Sequence, residues 1–103
     1  MTALPPDEVE ELWRAMRHLA LERVAVLERA LVAAREQVLD PTLLDAARRA
    51  AHNLAGSLGS FRRHTGSRAA TDAERALADP LDLALLADSV ERLTAAVAAA
   101  PDT

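Results

Sequence analysis

The chain has 103 residues, half of them apolar, a formal net charge of −4 and no cysteine. That length supports one core and leaves no room for a second, and without cysteine there is neither a disulfide framework nor a thiolate metal site. Acidic and basic residues are interspersed without the basic stripe of a nucleic-acid binder, and no run reaches the roughly 18 apolar residues of a membrane span.

Only Trp13 and Phe61 are aromatic. Alanine and leucine dominate, and no stretch is rich in the β-branched or aromatic residues that favour strands, so helix is expected throughout. The segment from Met1 to Pro6 has no positive region and no long apolar run, so no signal peptide is expected. The composition as a whole suggests a cytoplasmic protein.

Pro5-Pro6 followed by Asp7-Glu8 marks a helix start, with proline at the first position and acidic residues in the first turn. Apolar spacing predicts a first helix over about 7–38, with Val9, Leu12, Trp13, Met16, Leu19, Ala20, Leu27, Ala30, Leu31 and Ala34 on its buried face. Asp40 can cap a second helix whose first position is Pro41, and the pattern carries that helix over about 41–62. His64-Thr65-Gly66-Ser67 reads as a turn, with Thr65 or Ser67 capping a third helix over about 66–78. Ala69, Ala70, Ala73, Ala76 and Leu77 form its small-residue face. Asp79-Pro80 repeats the Asp-Pro pattern and is expected to open a fourth helix over about 80–99. Leu83, Leu86, Val90, Leu93 and Val97 mark its inner side, and residues 98–103 form a fraying end. The expected fold is all-α: a single domain over 1–103, an up-down four-helix bundle.

Within the second helix, Ala47, Ala51, Leu54, Leu58 and Phe61 fall on one line, and His52 lies about 140° away from it. That imidazole should face outward near the middle of a rigid helix. Gly56 and Gly59 project at about 180° and 120°, where each costs roughly 1 kcal/mol relative to alanine. Bare backbone there would let another surface approach the ring. Arg48 and Arg63 project at about 100° and 160° and could neutralise an anion on the ring. Arg49 is a further cation for this role, while Asn53 points to a flank. His18 and His64 have no comparable surroundings. No metal-ligand spacing, catalytic triad or phosphate-cradling glycine loop is present.

The run His52-Asn53-Leu54-Ala55-Gly56-Ser57 resembles the His-x-Leu-Lys-Gly-Ser signature of histidine phosphotransfer (HPt) domains. Leu58-Gly59-Ser60-Phe61, Gly66-Ser67-Arg68 and Ala73-Glu74-Arg75-Ala76-Leu77 extend the likeness to a subgroup reading His-x-Leu-Ala-Gly-Ser-Leu-Gly-Thr-Phe-Gly. The resemblance implies a phosphorelay protein in which His52 accepts and donates a phosphoryl group. Its partner would be the receiver domain of a response regulator or hybrid sensor kinase, which would supply the aspartate and the Mg²⁺. The chain itself would be a monomeric phosphoryl carrier, neither a kinase nor an independent enzyme, with no cofactor, nucleic acid or membrane of its own. Ala55 replaces the signature lysine, and Asn53 stands where the subgroup often has a basic residue. Charge compensation would then fall to Arg48, Arg49 or Arg63. The same departures support an alternative, an HPt-like adaptor that binds a receiver domain without transfer. Arg62 replaces the glycine with which the subgroup usually ends this helix.

Overall fold

The computed structural model describes residues 5–99. They form α1 (Pro6–Arg35), α2 (Pro41–Ser60), α3 (His64–Ala76) and α4 (Leu83–Ala98), with no strand among the described residues. The helices touch in sequence and α4 closes back on α1, while the diagonal pairs α1/α3 and α2/α4 do not meet. This is a four-helix bundle of the expected class. The 30 residues of α1 make a rod of about 45 Å, which accounts for the longest molecular dimension of 47 Å.

Each helix contributes a stripe to one core. Leu27, Leu54, Leu58, Leu77, Leu86 and Leu93 are fully buried, and Ala47, Ala51, Ala69, Ala70, Ala73 and Ala76 let the backbones approach between them. On α1 the buried set is Trp13, Ala20, Val24, Leu27, Ala30 and Leu31. Leu12 and Met16, expected on the buried face, are instead 47% and 44% exposed, and Leu83 at the start of α4 is 38% exposed. The α1 stripe is therefore narrower than the sequence pattern, because only α2 and α4 cover it.

The α1–α2 and α2–α3 connections are built alike. After α1, Gln37 adopts φ 59°, its amide bonds to Ala34 O and the amide of Val38 to Ala33 O. After α2, Arg62 adopts φ 61°, its amide bonds to Gly59 O and that of Arg63 to Leu58 O. Both are Schellman closures with a non-glycine residue in the left-handed position. The helices therefore end at Arg35 and Ser60, short of the expected 38 and 62.

Helix starts divide in the same way. Asp40 caps α2 through the Leu43 amide at 2.7 Å, as expected. The fourth helix is capped by Asp82, which accepts from the Leu85 amide at 3.0 Å. The expected start at Asp79-Pro80 is corrected to Leu83, because the Asp82 amide folds back onto Ala76 O and Leu81 packs on the core.

The third helix begins at His64, not 66, and neither Thr65 nor Ser67 is its N-cap. Gly66 is a buried helical residue instead of a turn. A Cβ there would lie 3.1 Å from Leu58 Cδ1 and 3.2 Å from Ala96 Cβ, so glycine allows α3 to sit against both α2 and α4. Across the outside of the α3/α4 seam, Arg92 donates to Asp72 at 2.8 Å and to Asp88 at 2.9 Å. The hydrogen bond that Arg92 donates to Asp72 is the chief cause holding the Arg92 pKa above its ordinary value.

Residues 1–4, part of the segment on which the signal-peptide expectation fell, and residues 100–103, part of the expected fraying end, lie outside the described residues.

Candidate functional site

The central feature is His52, in the middle of α2 with its side chain 75% exposed. Its neighbours in sequence, Ala51 and Leu54, are wholly buried and anchor the helix beneath it. The ring does not project freely. Its Nδ1 lies 3.1 Å from Oε2 of Glu74 on α3, whose side chain is 41% exposed. A carboxylate only accepts hydrogen bonds, so Nδ1 donates in this contact and Nε2 is the nitrogen left toward solvent.

Glu74 is the site residue that α2 periodicity could not find. A helical wheel relates residues within one helix, and Glu74 reaches the ring from another. The available signal was its place in the Ala73-Glu74-Arg75-Ala76-Leu77 run. There an acidic residue interrupts the alanine face that packs α3 against its neighbours.

Beside the ring, Gly56 is exposed and a Cβ added to it would meet nothing within 4 Å. Backbone is therefore open to an approaching surface one turn after His52. Gly59 differs from expectation: it is half-buried, and its Cβ would lie 3.5 Å from Ser67 Oγ on α3. It faces the neighbouring helix because α3 packs along that flank of α2. Ala55 is half-buried and its carbonyl accepts from Ser67 Oγ at 2.7 Å, an α2–α3 tie that passes beneath the site. Asn53 is exposed.

The three arginines separate. Arg49 is exposed and pairs with Asp45 one turn earlier at 3.2 Å. Arg48 is half-buried and its Nε donates to the Leu77 carbonyl at 2.8 Å, holding the C-terminus of α3 against α2. That cation also complements the partial negative charge of a helix end.

Arg63 is only 2% exposed, which corrects its expected role as a phosphate partner. The guanidinium lies 3.9 Å from the Trp13 ring centroid and donates to Ala99 O at 2.6 Å and Glu10 Oε1 at 3.0 Å. The cause is the left-handed turn at Arg62. It takes Arg63 off the α2 wheel and into the interior, where it ties together α1, the α2–α3 corner and the end of α4. Trp13 also packs against Phe61 in a tilted arrangement, with ring centroids 5.6 Å apart and an interplanar angle of 57°.

Among the described residues no group of three or more histidine, aspartate or glutamate side chains is arranged to hold a metal ion. No helix of the structure is long and apolar enough to cross a membrane. The fold and site together define a four-helix bundle that presents one tethered, accessible imidazole.

The sequence model of a family described as Hpt domain matches residues 11–103. The chain belongs to that family. Membership carries a phosphotransfer-related role in two-component signalling, in which Hpt domains generally interact with receiver domains. No curated protein and no solved structure matches the chain.

Proposed function

We propose that this protein is a phosphorelay carrier in which His52 receives a phosphoryl group from the aspartate of one receiver domain and passes it to another. The observation that supports this reading most is the exposure of the His52 imidazole at the centre of α2, beside the open backbone of Gly56. Transfer between two proteins requires an in-line approach of the acyl phosphate to the ring nitrogen. A side chain at Gly56 would stand in the path of that approach.

The receiver domain brings the Mg²⁺ and the acidic pocket, and this chain brings the nucleophile. Arg49, 71% exposed and one turn minus one residue from His52, is the cation best presented to the incoming phosphate. Arg48 supports the site from beneath through the Leu77 carbonyl. The protein acts as a monomer in the cytoplasm and has no kinase activity of its own.

The test is to incubate wild type and His52→Gln with a phosphorylated receiver domain, or with phosphoramidate and Mg²⁺. Intact mass is then read before and after mild acid. One acid-labile phosphoryl group on wild type alone is expected. No adduct on folded wild type with several donors would sink the carrier reading and favour an adaptor that binds receiver domains without transfer.

A further inference from the structure

Charge is divided unevenly between the two edges of the bundle. Residues 41–76, which span α2 and α3, hold six arginines and three acidic residues. The rest of the chain holds six arginines and thirteen acidic residues. A protein of net charge −4 thus presents His52 from a cationic edge. We infer that the solvent face of α3, through Arg68 and Arg75 with Arg62 at the α2–α3 corner, is the electrostatic docking face for an acidic, phosphorylated receiver domain. This rests on the proposed exchange of phosphate with such a domain.

Burial and pairing decide which of the six arginines can serve. Arg48 and Arg63 are held by partners within the bundle, and Arg49 pairs with Asp45. Arg62 and Arg68 are exposed and enter no ion pair among the described residues. Arg75 is 74% exposed, and its nearest carboxylate is that of Asp72 at 3.9 Å. That carboxylate is already taken by Arg92, which reaches across from α4 at 2.8 Å. The other acidic side chain of α3, Glu74, is engaged by His52. Little is left on this edge to offset its cations.

Position follows from the helix. Seven residues separate Arg68 from Arg75, which sets them about 10 Å apart along α3 and within about 20° of one another. Both lie opposite the buried Ala69, Ala70, Ala73 and Ala76. Glu74, one residue before Arg75, reaches the imidazole. The cationic face therefore adjoins the reactive one.

A receiver domain that holds an acyl phosphate in an acidic pocket is negative at the point that must meet His52. On the far edge, α1 exposes Glu11, Glu22 and Glu28 and α4 exposes Asp88 and Glu91, which repel such a partner. Attraction at α3 and repulsion there turn the phosphate toward the same side. Fields of this kind raise the association rate and orient the encounter, and they fade with salt. Arg68 and Arg75 need not touch the phosphate; they act before the chemistry begins.

The test measures association by stopped flow with a panel of labelled receiver domains in their beryllofluoride-bound, phosphoaspartate-like form. Arg68→Glu/Arg75→Glu should associate about tenfold more slowly than wild type at about 0.01 M salt, and within about twofold of it at about 0.5 M. Arg68→Gln/Arg75→Gln should show about a threefold loss, which guards against a disturbed α3 in the reversed pair. Arg14→Glu/Arg17→Glu makes the same change in net charge at exposed positions of α1. It should alter the rate by less than about twofold. Phosphoramidate should load His52 equally well in all four proteins, because a small donor needs no docking face.

Equal slowing by the α1 pair, slowing that persists at high salt, or no slowing at all would overturn the inference. So would a folded wild type that associates with no receiver in the panel. If receivers associate with the expected dependence on α3 but His52 takes phosphate from neither them nor phosphoramidate, the carrier reading fails and the docking face stands.

Discussion

At the scale of single residues, two adjacent arginines do opposite things. Arg62 occupies the left-handed region with φ 61°, where a side chain costs about 1 kcal/mol or more relative to glycine. Arg62→Gly should therefore raise stability by about 1 kcal/mol, read as a higher urea midpoint at unchanged slope. No gain would mean that the exposed Arg62 side chain makes up for the strain. Arg63, by contrast, is buried against Trp13 and bonded to Glu10. Arg63→Ala should lower stability by about 2–3 kcal/mol, yet leave phosphoryl acceptance by His52 intact in the folded fraction. Loss of acceptance by a folded Arg63 variant would return this residue to the reactive site.

At the scale of helices, three glycines that look alike in sequence have three different surroundings. A Cβ at Gly56 meets open space, one at Gly59 makes ordinary contact with Ser67, and one at Gly66 presses on Leu58 and Ala96. Gly56→Ala should stabilise the protein by about 1 kcal/mol, the helix-propensity difference, and should slow transfer from a receiver domain. A stabilised variant with unaltered transfer would show that bare backbone is not needed there. Gly66→Ala gains the same propensity but must displace Ala96 Cβ, which is fixed to the α4 backbone. A net loss of about 1 kcal/mol is expected. Chemical denaturation of the two variants side by side checks the opposite signs.

At the scale of the molecule, one core joins all four helices, and Trp13 reports on the end where Arg63 ties α1 to the α2–α3 corner and α4. Trp13 is the only tryptophan in the chain. Its fluorescence and the far-UV helical signal should change together on denaturation, as for a two-state domain. An earlier fluorescence transition would mean that the Trp13 end opens as a separate unit. Leu54→Ala, at a fully buried position beneath His52, should cost about 2–5 kcal/mol.

Apolar periodicity and the Asp40-Pro41 start were sufficient to read four helices, an all-α bundle and an outward His52, because these depend on residues close in sequence. Arg49, Asn53 and Gly56 proved exposed for the same reason: each lies well inside α2, where the wheel holds. The wheel failed where the chain left the helix or another helix covered it. Arg63 was misread because the turn at Arg62 intervenes, Gly59 because α3 lies on its flank, and Gly66 because close approach of two neighbours, not a turn, calls for glycine. Asp82 replaced Asp79 as the α4 cap because the loop folds back on Ala76. Sequence by itself thus determined the four helices and the outward place of His52 near the centre of α2. Only the tertiary structure brought Glu74 to Nδ1 and buried Arg63, because both depend on contacts between segments far apart in the chain, which no local spacing encodes.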